Sequence, residues 1–186
     1  MHTSNAGELP YFIKRSVNMD KAEKNVSYLK AIQQIDSVLS EEPADLIVKM
    51  VTINCLLKTH MPYFFWTGFY LVTGDRLSIG PYQGTLGCLY IEFGQGVCGT
   101  VAVVGETAIV EDVSKIENHV ICDANSQSEI VVPVFDAAGK LIGVFDVDST
   151  EKGSFDEVDQ QFLEHIMKKH FGTTKSRKIN GNKSGL

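Results

Sequence analysis

The chain has 186 residues, with 17 basic and 23 acidic side chains and a net charge of −6. Its length suits one domain with its own hydrophobic core. The acidic balance argues against nucleic acid and anionic membrane surfaces as partners, and no stretch reaches the roughly 18 uncharged residues of a membrane span. The apolar run at residues 8–13 is too short for the apolar region of a secretory signal peptide, so we expect no such signal. We therefore expect a cytoplasmic protein under reducing conditions, with its thiols free at rest.

Hydrophobic periodicity divides the chain into a polar extension (residues 1–19), a folded domain (20–171) and a basic tail (172–186) that we expect to be disordered. In chain order, the first half of the domain is predicted to contain helices at 20–40 and from Pro43 to Leu57, strands at 63–72 and 76–83, and either a short strand or an extended loop at 88–93. The second half is predicted to contain a helix at 97–104, a strand at 108–110, a polar stretch at 111–128, strands at 130–135 and 141–147, and a helix at 156–171 that is capped by Ser154 or Asp156. Helices flank strands that are joined by hairpins, which predicts an α+β fold with a central antiparallel sheet. Cys55 lies in the second helix and is expected in or near the core.

Three cysteines, Cys88, Cys98 and Cys122, lie beside glycines or small polar residues rather than within apolar runs. Accessible thiols in such surroundings suggest redox chemistry, in which one thiol attacks and another resolves. Cys98 begins a helix, where backbone N–H groups lower the pKa of a thiol. Cys122 competes as the nucleophile because His119 is nearby and the surrounding loop is long and polar.

Carboxylates cluster on the last predicted strand. Successive side chains of a strand alternate between faces, so Asp146 and Asp148 share one face while Phe145 and Val147 share the other. Glu129, which precedes the neighbouring strand, is placed to join the two aspartates. The pattern predicts either a solvated sheet face or a carboxylate pocket that binds an ammonium group and donates a proton.

Two aromatic residues of the first predicted strand are separated by an even number of positions, as the two aspartates are. Trp66 and Tyr70 are four residues apart and so share a face of the sheet. They are expected to form either ordinary core packing or an apolar wall beside the carboxylates.

Five segments carry a specific family resemblance: residues 66–70 (WTGFY), 94–99 (GQGVCG), 119–124 (HVICDA), 128–133 (SEIVVP) and 143–149 (GVFDVDS). In order and spacing they resemble the conserved segments of the GAF-fold free methionine-(R)-sulfoxide reductases. The resemblance covers residues 20–171 and includes the spacing of all three cysteines. It implies a single GAF-like domain that reduces free L-methionine (R)-sulfoxide to methionine.

The resemblance also implies roles for individual residues. Cys122 becomes the attacking thiol, Cys88 the preferred resolving thiol and Cys98 an alternative resolver, which overrules the helix-terminus argument for Cys98. The substrate-binding residues that it implies are Glu129, Asp146, Asp148, Trp66 and Tyr70. The reaction would proceed through a cysteine sulfenic acid and an intramolecular disulfide.

The resemblance implies that no cofactor is bound and that thioredoxin is the external reductant. The first helix is compatible with a homodimer. Two other functions remain open: a non-catalytic GAF module that binds a small ligand or senses redox state, and a zinc site formed by Cys88, Cys98, Cys122 and His119. The cysteines lack the close paired spacing of structural zinc sites, which disfavours zinc.

Overall fold

A computed structural model describes residues 19–40, 44–117, 120 and 122–172. Its elements are α1 (Lys21–Ser40), α2 (Leu46–His60), β1 (Trp66–Thr73), β2 (Arg76–Gln83), β3 (Tyr90–Glu92), α3 (Gly96–Val104), β4 (Ala108–Val110), a 3₁₀ turn (Val113–Lys115), β5 (Ser128–Phe135), β6 (Leu141–Ser149) and α4 (Glu157–His170). The predicted N-terminal extension, apart from Met19, and the predicted tail after Gly172 lie outside the described residues, as does Pro43. Within these ranges, no helix is long and apolar enough to cross a membrane.

The strands form one six-stranded antiparallel sheet in the order β3-β2-β1-β6-β5-β4. The predicted α+β fold with a central antiparallel sheet is therefore confirmed. Both hairpins of the prediction are present, as β1–β2 and β5–β6. Strand β5 begins at Ser128, so Glu129 lies within the strand rather than before it. The first strand, β1, pairs with the last strand, β6, at the centre of the sheet. The predicted aromatic site residues of β1 therefore lie beside the predicted acidic site residues of β6.

Three helices cover one face of this sheet. The side chains of Phe69, Phe145 and Val147 point into a core that they share with α1, α2 and α4. Phe69 and Phe145 lie opposite each other in the β1–β6 ladder, with ring centroids 4.8 Å apart. Burial of this apolar face follows from the alternation predicted for β6.

A buried polar cluster joins the helices on the same face. Asp156 caps α4 and forms a capping box with Asp159, so of the two predicted caps Asp156 is the one used. Asp159 is fully buried and accepts hydrogen bonds from Lys24 Nζ at 2.5 Å, Tyr28 at 2.8 Å and Tyr63. Each oxygen of this carboxylate therefore has a donor, and its charge is paired with an ammonium group.

The prediction that Cys55 lies in or near the core is wrong, because the residue is exposed. Helix α2 is apolar on two sides, and only the side that carries Met50, Ile53 and Leu57 faces the core. Its other side leaves Val51 half exposed together with Cys55. A helix of this composition does not reveal its buried side through hydrophobic periodicity.

Candidate functional site

A pocket lies on the face of the sheet opposite the helical core. Cross-strand pairing assembles its floor, because Asp148 lies opposite Trp66 of β1 on one side and opposite Glu129 of β5 on the other. Asp146, two residues before Asp148, projects from the same face of β6. Tyr70, Cys98 and Cys122 complete the chemically active part of the lining. The structure thus brings together the predicted site residues, and Cys88 joins them through Cys122.

The acidic residues of the pocket lie in an environment that favours their protonated forms. Glu129 and Asp146 are buried, and their pKa values are raised well above the usual range, chiefly by burial. Repulsion from Asp148 adds to the rise for both carboxyls. Burial also raises the pKa of Asp148 to about 7, although a hydrogen bond with Ser126 opposes that rise. Proton-holding and ionised carboxyls therefore coexist in this pocket near neutral pH.

Among the described residues that line the pocket, no Lys, Arg or His offsets these acids. The Oδ1 atom of Asp146 is buried and has no hydrogen-bond partner among the described residues. The same side chain has hydrogen bonds with Cys98 and Glu129, but a buried oxygen atom without a hydrogen-bond partner is costly unless something else binds it. The pocket therefore has the electrostatics of a site for a cationic or proton-accepting ligand.

Cys88 and Cys122 form a disulfide beside the pocket, whose lining includes Cys122 and Gly87, the neighbour of Cys88. We call the two loops that this disulfide joins the entrance loops. Their Cα atoms are 5.1 Å apart although the residues are separated by 34 positions in the chain. The expectation of free thiols at rest is therefore not met for this pair. Thr85 donates a hydrogen bond to Asp123 and so ties together the same two loops. Together the two links hold the β2–β3 loop against the loop that precedes β5.

Cys98 differs from the other two cysteines of the pocket. Its thiol is free but buried, and its Sγ lies 3.9 Å from Oε1 of Glu129. Burial, followed by repulsion from Asp146 and Glu129, raises the pKa of Cys98 well above its usual range. The predictions that this thiol is accessible and that the start of the helix lowers its pKa are both wrong. The thiol faces the acids of the sheet, and their effect together with desolvation exceeds that of the helix terminus.

Stacked aromatic rings form one wall of the pocket. Trp66 lies between Tyr70, at a centroid distance of 5.8 Å, and Tyr82, at 5.3 Å. The indole N–H donates to the carbonyl oxygen of Thr85 at 3.0 Å, which fixes the orientation of the ring. Sequence reasoning found Trp66 and Tyr70 but missed Tyr82, whose contact depends on the register between β1 and β2.

Three polar lining residues were also missed: Gln95, Asp123 and Ser126. Asp123 and Ser126 lie in the polar stretch that follows Cys122. Their proximity to a candidate nucleophile in a long polar loop was the one signal that pointed to them. Gln95 caps the start of α3 without a side-chain hydrogen bond to the helix, a position that periodicity does not single out.

The zinc set considered from the sequence does not fit this structure. Cys88 and Cys122 are bonded to each other and so offer no thiolate, and His119 lies outside the described residues. A different group of donors is present. Donor atoms of Cys98, Glu129 and Asp146 all lie within 4.8 Å of one another.

Comparisons with known sequences and solved structures identify the family of this chain. The GAF domain family matches residues 46–168. The chain is 40% identical over 153 residues to GAF domain-containing protein A of Dictyostelium discoideum, covering 82% of this chain and 95% of the relative. It is 37% identical over 136 residues to a free methionine-R-sulfoxide reductase of Escherichia coli, covering 72% and 82%. The X-ray structure of a free methionine-R-sulfoxide reductase from Neisseria meningitidis in complex with its substrate has a TM-score of 0.74 and 40% identity, covering 81% and 87%.

Proposed function

Because the chain belongs to the GAF domain family and has free methionine-R-sulfoxide reductases among its relatives, we propose that it reduces free methionine (R)-sulfoxide to methionine. One observation carries the proposal. A pair of cysteines meets beside a pocket whose floor holds three carboxyls and no positive side chain among its described residues. A thiol pair supplies two electrons, and acids supply the proton that a sulfoxide oxygen needs in order to leave.

The first step is attack by Cys122. Its thiolate forms a bond to the electrophilic sulfur of the sulfoxide while a carboxylic acid protonates the oxygen. The oxygen is transferred to the cysteine, methionine leaves, and Cys122 becomes a sulfenic acid. The substrate sulfur gains two electrons and the cysteine sulfur loses two.

The three carboxyls of the pocket have different roles in this reaction. Glu129 and Asp146, whose pKa values are raised most, hold protons at neutral pH and are the candidates for donation to the sulfoxide oxygen. Asp148, with a pKa of about 7, retains more negative charge and is the candidate partner of the substrate ammonium. Trp66 stacks with two tyrosines and lines the pocket, where it offers apolar ring atoms to the S-methyl group.

The second step is resolution of the sulfenic acid. The Cys88 thiol condenses with Cys122, forms the disulfide and releases water. The bond between these two sulfurs supports Cys88 as the preferred resolving thiol, while Cys98 remains an alternative within the same pocket. Thioredoxin is proposed as the external dithiol that then reduces the disulfide in the cytoplasm, with no bound cofactor.

The disulfide form is the form that remains after turnover. In that form the Cys122 sulfur is bonded to Cys88 and offers no thiolate to a sulfoxide. We therefore expect substrate to react only after reduction, when the two entrance loops are no longer joined. A pocket that encloses a whole zwitterion also explains a preference for the free amino acid over a protein-bound residue.

The direct test is NADPH consumption in a thioredoxin–thioredoxin reductase couple with the separated epimers of free methionine sulfoxide. Oxidation of NADPH with the R epimer and little with the S epimer supports the proposal. Absence of activity with both epimers, in protein whose thiols titrate as reduced, would overturn it in favour of a ligand-binding GAF module.

Cysteine variants separate the two chemical steps. We expect Cys122→Ser to abolish turnover, whereas Cys88→Ser permits about one reduction per molecule because the sulfenic acid forms but is not resolved. Methionine formed per enzyme in a single addition of substrate measures the difference. Cys55→Ser is the matched control, because that thiol is exposed on α2, away from the pocket. Full multiple turnover by Cys122→Ser is incompatible with the assignment.

A further inference from the structure

We propose that Cys98, Glu129 and Asp146 form a binding site for a thiophilic divalent cation of the zinc and cadmium class. This donor set differs from the three-cysteine and histidine set considered from the sequence. It uses the one cysteine of the pocket that is free while Cys88 and Cys122 are bonded to each other.

The geometry provides three convergent ligands. One donor atom from each of the three residues lies within 4.8 Å of the other two, and Cys98 Sγ is 3.9 Å from Glu129 Oε1. In a tetrahedral site with metal–sulfur bonds of about 2.3 Å and metal–oxygen bonds of about 2.1 Å, ligand atoms lie about 3.5 Å apart. The Cys98–Glu129 separation therefore needs to contract by about 0.4 Å around an ion, and the other separations by at most about 1.3 Å. A thiolate with two carboxylates also suits a borderline-soft cation better than magnesium or calcium.

Two further observations point to a bound cation rather than to a packing cluster. Asp146 is more than nine-tenths buried, yet its Oδ1 atom has no hydrogen-bond partner among the described residues. No Lys, Arg or His among the described lining residues supplies positive charge. A divalent cation would bind the Oδ1 atom of Asp146. It would replace the protons that otherwise keep Cys98, Glu129 and Asp146 neutral.

The state of the cysteines separates this ligand from the proposed substrate. The ion needs the Cys98 thiol, which is free in the disulfide form, whereas the reaction proposed for the substrate needs the Cys122 thiol, which is bonded to Cys88. The cation site is therefore available even in the disulfide form. In the reduced form, the ion and the substrate would use the same carboxyls, so binding of the two should be competitive; this second statement depends on the proposed function.

Cadmium is the probe for the site itself. In full-length Cys55→Ser protein with the Cys88–Cys122 disulfide intact, Cys98 is the single free thiol. Titration with cadmium in buffer without thiols or chelators should produce thiolate-to-cadmium ultraviolet absorption that saturates at one ion per chain. Adding Cys98→Ser should remove that absorption, and Asp146→Asn should weaken cadmium binding at least about tenfold.

Asp112→Asn is the matched control, because Asp112 is also a buried acid but is paired with Lys152, at 2.8 Å, and does not line the pocket. It should leave cadmium affinity unchanged. Absence of the absorption in the single-thiol protein, or its persistence after Cys98→Ser, would overturn the site.

Competition requires a protein that cannot turn over. A variant with Cys55, Cys88 and Cys122 all replaced by Ser retains Cys98 alone and leaves the entrance loops without a disulfide. Free methionine (R)-sulfoxide should raise its apparent cadmium dissociation constant in equilibrium dialysis. Intact cadmium binding without competition would overturn the shared use of the carboxyls and place the proposed substrate elsewhere, while the metal site itself would stand.

Discussion

Two groups of buried carboxyls lie on opposite sides of one sheet, and they differ in what surrounds them. On the helical side, Asp159 is paired with Lys24 and accepts hydrogen bonds from Tyr28 and Tyr63. On the pocket side, Asp146 and Glu129 face each other, with no positive side chain among the described lining residues. Burial is similar, but Asp159 is paired with an ammonium group, whereas Asp146 and Glu129 have each other and the Cys98 thiol as neighbours.

The contrast separates stability from chemistry. A paired and fully hydrogen-bonded carboxylate joins helices, and its loss is felt by the fold. A carboxyl that is buried beside like charges holds a proton that it readily exchanges, which is useful to a reaction and of little use to stability. Substitutions at the two places should therefore produce opposite phenotypes.

The largest effect is expected for Asp146→Asn. The amide keeps the size and neutrality of the protonated acid but has no proton to donate, so turnover should fall by about 10²–10⁴-fold. Thermal unfolding should be nearly unchanged, because no ion pair is lost. Steady-state rates with the R epimer, together with a melting curve, measure both quantities. Unaltered turnover would assign proton donation to another carboxyl of the cluster.

Asp159→Asn should give the reverse phenotype. Lys24 would remain buried with Asp156 as its one carboxylate partner, at 3.0 Å, and the protein should lose about 3–5 kcal/mol of unfolding free energy. Activity per folded molecule should be retained. Urea denaturation measures the loss, and the double variant with Lys24→Met should recover part of it. Recovery of nothing would mean that the tyrosine hydrogen bonds, rather than the ion pair, carry the stability.

The last expected effect is on the pH dependence of stability. Folding raises the pKa of Asp148 from 3.8 to about 7, so the folded state binds more protons than the unfolded state between those values. The contribution of Asp148 to the free energy of unfolding is complete below about pH 4 and is lost as the pH rises through about 7. Asp148→Asn should flatten this decline in unfolding free energy measured from pH 4 to 7. A decline of the same size in the variant would assign it to Glu129 and Asp146.

The fold was predictable where a single periodicity applied. Strand β6 alternates strictly, so the sequence correctly placed Phe145 and Val147 in the core and Asp146 and Asp148 on the other face. Helix α2 shows the limit of the method. It is apolar around most of its circumference, and the position of Cys55 on its exposed side depends on how the helix packs.

The site was predictable from local pattern only in part. Spacing identified the three cysteines as a group, but it favoured Cys98 because the effect of a helix terminus is a local property. The acids that raise the pKa of Cys98 come from β5 and β6, about 30 residues or more away in the chain, and only the folded sheet brings them to the thiol. Stacking of Tyr82 on Trp66 likewise requires the register of two strands.

The link between the entrance loops has a consequence for the lifetime of the protein. Cys88 and Cys122 close a 34-residue segment of the chain, which includes β3, α3 and β4. Closing a loop of that length restricts the unfolded chain by about 4 kcal/mol in the chain-entropy account. In the reaction proposed above, molecules would accumulate in the cross-linked form when reducing equivalents are scarce, and that form should resist unfolding and proteolysis better than the reduced form. Oxidative conditions would thus preserve the protein that is needed once they end.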